Sequence, residues 1–521
     1  MIDRRKFLER SVMSGGSVLF SSVLLESCTK LGIPLPGAIP LPGGTTPTPP
    51  SIGLDTDWND DLKIIVTSAV KMIPEAGEIL GPLLEILWPS TQEDVWGAIK
   101  YQVENLINQK MDAAVYTQVS EDLHGLNNSI VLYLNELKNG TSNEILTQWM
   151  ITKNLFVNAL PHFQSVGNEL PLLPLHAQFT NLYLGLLRDG VAFGQKDWGR
   201  TAADHQQDIQ DLKNAISSIG TYTQKTYNDG RNALLKSTKS NSDNTEPWTT
   251  INKYDRQMSL TVLDYFDAWP YFDVSLYPQG TTQMYNREIY SDPYGTSPDN
   301  GAIAIPTSPT QFPTNLTVWA WDRLDAVQLT YPPESGPGGN TTTPRMGDQG
   351  GGSNQLPRGG SFDLSSDNPI TAVRALTAEY YNTYGYVYGP FVSAVQFQFQ
   401  VGSTTSLMGS LNGAVNGLHS DTGLFGFTNR ALSSIHVNGA SKQIGSADII
   451  VFGFQSWTSP AVQLSAIQTL YIKTPKERSV ADFAKAFPKL AIPSNVISNQ
   501  IKASRKAYWE KIKTQAEALG G

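Results

Sequence analysis

The first half of the chain repeats its apolar residues with the period of an α-helix. Between about Leu62 and Pro270, apolar positions recur three, four or seven residues apart, as in Ile145, Trp149 and Phe156. Proline, glycine, asparagine and serine interrupt this pattern at intervals and divide it into segments. We therefore predict seven helices, which cover 62–87, 93–122, 123–138, 142–160, 170–194, 201–236 and 247–269.

One predicted helix, 170–194, is apolar on nearly every side. One of its faces is formed by Leu175, Phe179, Leu182 and Leu186. Further leucine and valine side chains cover most of the opposite face. A helix of this kind lies either at the centre of a bundle or in a membrane. Its stretch from Leu172 to Phe193 would extend ~33 Å, which also matches the hydrocarbon core of a bilayer.

After Tyr277 the period changes from that of a helix to that of a strand. Short runs between glycine-rich turns alternate apolar and polar residues, at 326–330, 394–399, 434–437 and 449–454. This alternation predicts an antiparallel β domain over 279–474. We predict loops for 278–315 and for the glycine-rich segment 336–360, whose spacing matches no phosphate-binding loop.

The last segment, 475–521, differs from the rest of the chain in charge. Residues 476–521 contain nine Lys and Arg against four Asp and Glu, a net charge of +5 in a chain of net charge -9. The pattern predicts a basic amphipathic helix, which either lies on an anionic membrane or docks on its own protein. The predicted fold class is a multidomain α and β protein. It consists of a helical bundle with a central apolar helix at 55–278, the antiparallel β domain and this helical tail.

Composition and motifs argue against several functional classes. The chain has 521 residues, and its negative net charge argues against general nucleic-acid binding. Six histidines form no HExxH pair, there is no G-x-S-x-G elbow, and Cys28 is the one cysteine. Asp264, Asp267 and Asp273 could be imagined as an acid/base pair, but helix ends and interdomain contacts explain them better. We predict no enzymatic activity, no metal and no cofactor.

The N-terminal residues resemble an export signal. Arg4 and Arg5 precede Phe-Leu and a weakly apolar run, as in a twin-arginine signal. Cys28 follows Leu-Glu-Ser, which resembles a lipobox, and the alternative is a plain export signal with an incidental cysteine. Residues 29–54 are rich in proline and glycine and predict an extended linker. We expect 1–28 to direct twin-arginine export, after which the protein is either lipid-anchored to the cell envelope or secreted.

Four groups of residues occur in an order that is typical of one toxin family. They are Leu87-Trp88-Pro89-Ser90 with 104–110, the apolar segment ending in Leu187-Arg188-Asp189, Met258 to Asp264 with Trp269-Pro270, and Arg287 to Pro293. Together they resemble the three-domain Cry δ-endotoxins, the insecticidal crystal toxins. The resemblance implies a seven-helix pore-forming bundle and then a β-prism that binds a receptor. We expect the family's third domain, a β-sandwich, to be absent, because only about 47 residues follow Thr474.

The resemblance also implies how the bundle would act. The segments 142–160 and 170–194 would leave the bundle as a hairpin and enter the lipid of a target-cell membrane, with their backbone polar groups paired inside each helix. Several chains would assemble, because one hairpin cannot enclose a pore. In that homo-oligomer, the polar residues that could face water are Asn154, Asn158, Gln178 and Asn181.

Two charges stand at the end of the apolar helix, Arg188 and Asp189. A charge buried without a partner is costly, so we expect each of them to be paired. We place the partner on the seventh helix, at Asp264 or Arg256, and expect a structural role without chemistry.

Recognition of a cell-surface receptor or glycan is expected in the loops of the prism, at 336–360, 380–390 and 402–426. Aromatic rings bury a large area at low entropic cost, and the candidate contacts are Tyr381, Tyr384, Tyr386 and Tyr388. The same tyrosines could equally be ordinary strand or hairpin residues. The alternative for the whole chain is a surface-tethered carbohydrate-binding lipoprotein whose helical bundle is purely structural.

Overall fold

The computed structural model describes most of the chain between Leu62 and Trp457. The described residues are 62–63, 65–66, 76–89, 94–107, 109–238, 245–278, 287–295, 308–321, 323–347, 359–381, 387–410, 418–427, 429–440 and 447–457. The predicted export signal, linker and basic tail lie outside these residues.

The helical part contains seven helices of eight residues or more within the described ranges. They are α1 (Leu80–Leu87), α2 (Val95–Ile107), α3 (Ala113–Asn139), α4 (Ser142–Ala159), α5 (Glu169–Asp197), α6 (Ala202–Ser237) and α7 (Thr245–Met258). Residues 62–63 and 65–66 are also helical. The predicted seven-helix bundle is therefore confirmed, with differences at some boundaries.

One predicted boundary, between 122 and 123, is wrong. The chain breaks earlier, where Asp112 caps α3 by accepting hydrogen bonds from the backbone N–H groups of Ala114 and Val115. From there α3 continues to Asn139, because buried apolar residues keep their helical spacing through Leu123. The cap could not be predicted from the sequence pattern, because exposed aspartates occur at many positions that are not helix caps.

A tight connection joins α4 to α5. Helix α4 begins with a capping box, in which Thr141 and Glu144 satisfy each other's backbone N–H groups. After α4, a short 3₁₀ turn at His162–Gln164 reverses the chain. Gly167 then adopts a positive φ of 82°, which glycine tolerates without strain. The two helices therefore form an antiparallel hairpin, named here the central hairpin (142–197).

Helix α7 leads directly into the β domain. It continues through a π-helical segment at Ser259–Leu263 and a last turn at Asp264–Phe266. A 3₁₀ turn at Trp269–Phe272 follows, with Pro270 near its start. These segments pack against α5, so the exit from the bundle touches its central helix.

Within the described residues, the β domain contains three antiparallel sheets of four strands each. The strands are β1 (Glu288–Tyr290), β2 (Tyr294–Gly295), β3 (Asn315–Ala320), β4 (Leu324–Thr330), β5 (Met346–Gly347), β6 (Gly360–Asp363), β7 (Ile370–Tyr381), β8 (Val387–Phe399), β9 (Met408–Gly409), β10 (Leu418–Asp421), β11 (Arg430–Ala440) and β12 (Ala447–Ser456). Strand β12 pairs with β1, β2 and β11; the other sheets have the orders β10-β7-β8-β9 and β5-β4-β3-β6. This three-sheet architecture is the predicted β-prism.

All four alternating runs predicted as strands lie in strands, namely β4, β8, β11 and β12. Two predicted loops contain further strands. The segment 278–315 holds β1 and β2, which pair with β12, and 336–360 holds β5, which pairs with β4. These strands have two or three residues, too few to show an alternation, and only their distant partners define them.

Each domain has its own apolar core. In the helical part the core surrounds α5, and in the prism it lies between the three sheets. Leu260, in the π-helical segment, is an exception because it is buried in the prism core. The last turns of the seventh helix therefore belong partly to the β domain.

Candidate functional site

The central position predicted for the apolar helix is confirmed. Every residue of α5 from Pro171 to Val191 is buried. The helix contacts α1, α2, α4, α6 and the segments that follow α7. The predicted apolar face is fully enclosed, with no exposed surface at Leu175, Phe179, Leu182 or Leu186. Phe179 also stacks on Phe163, with ring centroids 4.4 Å apart.

Polar residues also lie on this buried helix. Asn181 has no exposed surface, and its Oδ1 accepts a hydrogen bond from Trp269 Nε1 at 2.9 Å. Asn181 Nδ2 donates to Gln178 Oε1 at 3.1 Å. The two residues predicted to face water in a pore are thus fully enclosed in this state and are satisfied by each other and by an indole.

The two helices of the central hairpin are joined by Trp149. Its Nε1 donates to the backbone oxygen of Leu186 on α5 at 2.8 Å. The ring lies against Gly190, where an added Cβ would come within 2.1 Å of Trp149 Cζ2. Further along, Phe156 of α4 stacks on Tyr183 of α5 with ring centroids 5.4 Å apart. Helices α4 and α5 therefore share a specific aromatic interface.

The opposite face of α4 is exposed. Asn154 and Asn158, the other predicted pore residues, lie on this face. Three large apolar side chains accompany them there, Met150, Ile151 and Val157, each more than 40% exposed. The four predicted pore residues are therefore divided between a buried helix and a water-exposed face.

Hydrogen bonds and ion pairs attach the hairpin to its neighbours. The hydroxyl oxygens of Thr152 on α4 and Ser129 on α3 lie 2.9 Å apart. Lys153 Nζ lies 2.5 Å from Asp211 and 3.4 Å from Asp208, both on α6. These contacts hold α4 between α3 and α6.

Asp189 has partners other than those we predicted. Its Oδ2 accepts hydrogen bonds from the backbone N–H of Gly77 at 2.8 Å and from Tyr133 Oη at 2.9 Å. Tyr133 lies on α3 and Gly77 precedes α1, so this carboxylate binds α5 to the other side of the bundle. Burial, and to a smaller extent the charge of Asp189, raise the pKa of the adjacent Glu78 to about 8. Arg188, the residue before Asp189, is also buried.

Asp264 is bound by cations from two other parts of the chain. Its Oδ2 lies 2.6 Å from Lys63 Nζ and 2.5 Å from an Nη of Arg430, the first residue of β11. Burial alone would raise the pKa of Asp264, but Lys63 and Arg430 outweigh it and hold that pKa below its usual value. We call this group, Lys63, Asp264 and Arg430, the interdomain clasp. Sequence reasoning missed Arg430, whose signal was one arginine opening an otherwise neutral strand.

Two further ion pairs connect the helical part to the prism. Arg287 forms paired hydrogen bonds with both carboxylate oxygens of Asp267. Arg256, the other partner expected for α5, instead contacts Asp292 and the backbone oxygen of Tyr290. The charged side chains of the seventh helix and of the segment after it therefore contact the chain that enters the prism.

A buried polar cluster lies beside the clasp in the first sheet of the prism. Glu288 accepts hydrogen bonds from the hydroxyls of Ser433, Ser434 and Tyr290 at 2.5 to 2.7 Å. His436 Nε2 is 2.8 Å from the Ser434 hydroxyl, and burial lowers the pKa of His436 to about 4. Glu, Ser and His therefore meet, but each is more than 90% buried. The arrangement ties β1 to β11 and has the character of a structural network.

The predicted receptor contacts are only partly within the described residues. Tyr381 ends β7 and Tyr388 lies in β8, where it pairs with Tyr380 across the hairpin. Tyr384 and Tyr386 lie outside the described residues. Two of the four candidates thus have a defined place in the strands of one hairpin.

Two general properties of the described residues bear on the candidate chemistry. None of their helices combines the length and the apolar character required of a membrane span. Among the same residues, no group of three or more His, Cys, Asp and Glu side chains is placed to hold a metal ion.

Among known protein families, one model matches the helical part. Residues 64–273 match the model of the delta endotoxin N-terminal domain. The helical part is thus similar to the N-terminal domain of the delta endotoxins. This range includes α1 to α7 and ends at Asp273, directly after the 3₁₀ turn that follows α7. The δ-endotoxin resemblance noted in the sequence is thereby confirmed.

The curated relatives are pesticidal crystal proteins. The chain is 31% identical over 253 residues to Cry1Id of Bacillus thuringiensis, a match of 47% of this chain and 34% of that protein. It is 32% identical over 237 residues to Cry9Ca of Bacillus thuringiensis subsp. tolworthi, covering 43% of this chain and 20% of the relative. The chain thus spans about a third or less of the length of these relatives.

Two solved structures share the fold over both domains. The insecticidal crystal protein Cry7Ca1 of Bacillus thuringiensis aligns with a TM-score of 0.60 at 22% identity, over 77% of this chain and 75% of that chain. PirB aligns with a TM-score of 0.59 at 14% identity, over 77% of this chain and 95% of that chain. At these identities the likeness establishes the architecture of a helical bundle followed by a prism.

Proposed function

We propose that the protein is a pore-forming toxin whose central hairpin enters the membrane of a target cell. The observation that carries the proposal is the fully buried α5, paired with α4 inside a delta-endotoxin N-terminal domain. The whole relatives are pesticidal crystal proteins, which agrees with a toxin.

The mechanism follows from where the backbone hydrogen bonds lie. Within α4 and α5 the backbone N–H and C=O groups are paired along each helix, so the hairpin can leave the bundle with those bonds intact. The connection at 160–168 keeps the two helices antiparallel. The contacts that must break involve side chains and include those at Thr152, Lys153, Asn181 and Asp189.

In the membrane, several hairpins would surround a water-filled lumen. Asn154 and Asn158 already face water, and Gln178 and Asn181 would exchange their mutual hydrogen bond for water. Between Leu172 and Leu187 the rest of the surface of α5 is mainly apolar and suits lipid. The proposed active form is therefore a homo-oligomer in target-cell lipid.

The prism would bring the toxin to its target. Its hairpin between β7 and β8 carries Tyr381 and Tyr388, and we assign contact with a cell-surface receptor or glycan to that end of the prism. The N-terminal residues, with Arg4, Arg5 and Cys28, would direct export through the twin-arginine route, followed by lipid anchoring or release.

A reversible disulfide lock tests the pore. Ser129 and Thr152 lie on α3 and α4 with hydroxyl oxygens 2.9 Å apart, a separation that suits a disulfide after both become Cys. The lock is introduced into a chain with Cys28→Ser, and dye release from liposomes is measured with and without limited trypsin. The oxidised lock should abolish dye release, and reduction should restore it. Since the hairpin cannot leave while it is tied to α3, this result would establish insertion.

The control places the same bond where no movement is proposed. Thr377 on β7 and Ser420 on β10 have hydroxyl oxygens 2.6 Å apart, so Thr377→Cys with Ser420→Cys locks the prism alone. This variant should release dye under both redox conditions. Dye release from the oxidised hairpin lock would contradict the proposal. A folded wild-type chain that releases no dye at any pH or lipid composition would favour a binding module with a structural bundle.

A further inference from the structure

We propose that two buried tryptophans have opposite roles when the central hairpin leaves the bundle. Trp149 fastens α4 to α5, so that the central hairpin moves as one body. Trp269 holds that body in the bundle and must release it. This inference rests on the proposed function, and it assigns positioning roles to two residues for which the sequence patterns suggested no separate role.

Trp149 makes its hydrogen bond inside the hairpin. The donor is on α4 and the acceptor, the oxygen of Leu186, is on α5, with 2.8 Å between them. The indole is 1% exposed and fills the space that Gly190 leaves free. Because both partners belong to the hairpin, this bond need not break when the hairpin leaves. In hydrocarbon it would still satisfy the indole N–H.

Trp269 makes its hydrogen bond across the boundary of the hairpin. The donor lies in the 3₁₀ turn after α7 and the acceptor is Asn181 on α5, at 2.9 Å. Both side chains are buried, with at most 1% exposed. Neither α5 nor the turn can move away from the other while this bond is intact.

The position of Trp269 connects it to the prism. It lies five residues after Asp264, which is bound to Arg430 of β11, and two residues after Asp267, which is bound to Arg287. A displacement of the prism would pull on these carboxylates and on the short turn that follows them. Trp269 is thus the point where such a displacement reaches the central helix.

The two bonds respond differently to removal of one N–H. Trp269→Phe leaves the Asn181 oxygen without its donor in the closed bundle, whereas water would supply one in a pore. The variant should therefore release dye about five- to tenfold faster than the wild type. Trp149→Phe loses its bond in both states, so the helices would part from each other during exit. We expect its dye release to fall at least about threefold.

The experiment compares the full chain with these two variants at matched temperature below unfolding. Each variant removes one indole N–H bound to a buried oxygen, so each is the stability control of the other. Dye release that moves in opposite directions supports the division of tasks. Changes in the same direction would overturn it and leave both residues as ordinary core tryptophans.

Hydrogen exchange followed by mass spectrometry gives a second measurement that needs no membrane. In Trp269→Phe, α4 and α5 should exchange faster together, while α6 keeps its wild-type rate. In Trp149→Phe, the exchange of α4 should rise more than that of α5. Uniform acceleration of all helices in either variant would contradict the inference. A wild type without dye release would contradict pore formation, while this exchange pattern would still decide the roles of the tryptophans.

Discussion

Helix α5 and strand β12 are the most enclosed segments of their domains, yet they are held in different ways. Residues 171–191 of α5 are all buried, as are the first nine residues of β12. The backbone of α5 is hydrogen-bonded to itself. The backbone of β12 is bonded to the preceding strand β11 and to β1 and β2, which come from a distant part of the sequence.

The difference explains why a helix and not a strand would be the moving part. A buried helix can leave with its backbone bonds, and only side-chain contacts must be replaced. A buried central strand would expose its own backbone groups and those of its neighbours, each at a cost of about 1–3 kcal/mol. The prism is therefore suited to remain a fixed frame while the bundle rearranges.

The largest expected effect is at the clasp that joins the two regions. Asp264→Asn leaves Lys63 and Arg430 as buried cations without their carboxylate, at an expected cost of about 3–5 kcal/mol in the free energy of unfolding at pH 7. Because the pKa of Asp264 is lowered in the fold, its contribution is present above the ordinary Asp pKa of about 4 and is lost as pH falls through the folded-state pKa. Denaturant unfolding from pH 7 to pH 3 measures both.

The matched control is Asp267→Asn, which removes the partly exposed partner of Arg287. A partly exposed pair contributes about 1 kcal/mol or less, so this loss should be clearly smaller. Equal losses of unfolding free energy in the two variants would show that the interdomain clasp stabilises the protein no more than the Arg287–Asp267 pair does.

A methyl group added to each enclosed segment tests the comparison directly. Gly190→Ala in α5 would place Cβ 2.1 Å from the ring of Trp149, and Gly453→Ala in β12 would place it 2.3 Å from Ser434 Oγ. Each should lower stability by about 1–3 kcal/mol, because a packed core resists added volume. Hydrogen exchange should locate the first loss in the bundle and the second in the prism.

Gly125 on α3 supplies the control, because nothing lies within 4 Å of an added Cβ there. Gly125→Ala should raise stability by about 0.5–1 kcal/mol through the better helix propensity of alanine. If Gly453→Ala instead accelerates exchange in α5, the two domains unfold as one unit and the contrast between them fails.

The last prediction concerns the pH dependence of stability at the far side of α5. Burial, and then Asp189, raise the pKa of Glu78 to about 8 in the fold, so this group favours folding below about pH 4.5 and loses that contribution as pH rises through 8. Glu78→Gln should flatten the decline in bundle stability between pH 5 and pH 9 by several kcal/mol, at about 1.4 kcal/mol for each pKa unit. Thermal unfolding followed by the helical signal measures this, and an unchanged slope would contradict it.

The sequence was informative wherever structure is local. Helical periodicity predicted the central hairpin, and alternation predicted β4, β8, β11 and β12. The short strands β1, β2 and β5 escaped, because partners far along the chain define them. The interdomain clasp escaped for the same reason, since 166 residues separate Asp264 from Arg430. The burial of Gln178 and Asn181 could not be predicted either, because the sequence pattern does not show that Trp269 packs back against α5.

The burial of Leu260 shows that the structural boundary between the bundle and the prism differs from the end of the sequence match to the delta endotoxin N-terminal domain. The delta-endotoxin match ends at residue 273, yet Leu260 is already part of the prism core, and Asp264 binds a prism arginine. A prism transplanted from residue 279 onward would leave an empty site in its core and Arg430 without its carboxylate. The unit that recombination could exchange between such proteins therefore begins near Ser259, and the last turns of the seventh helix travel with it.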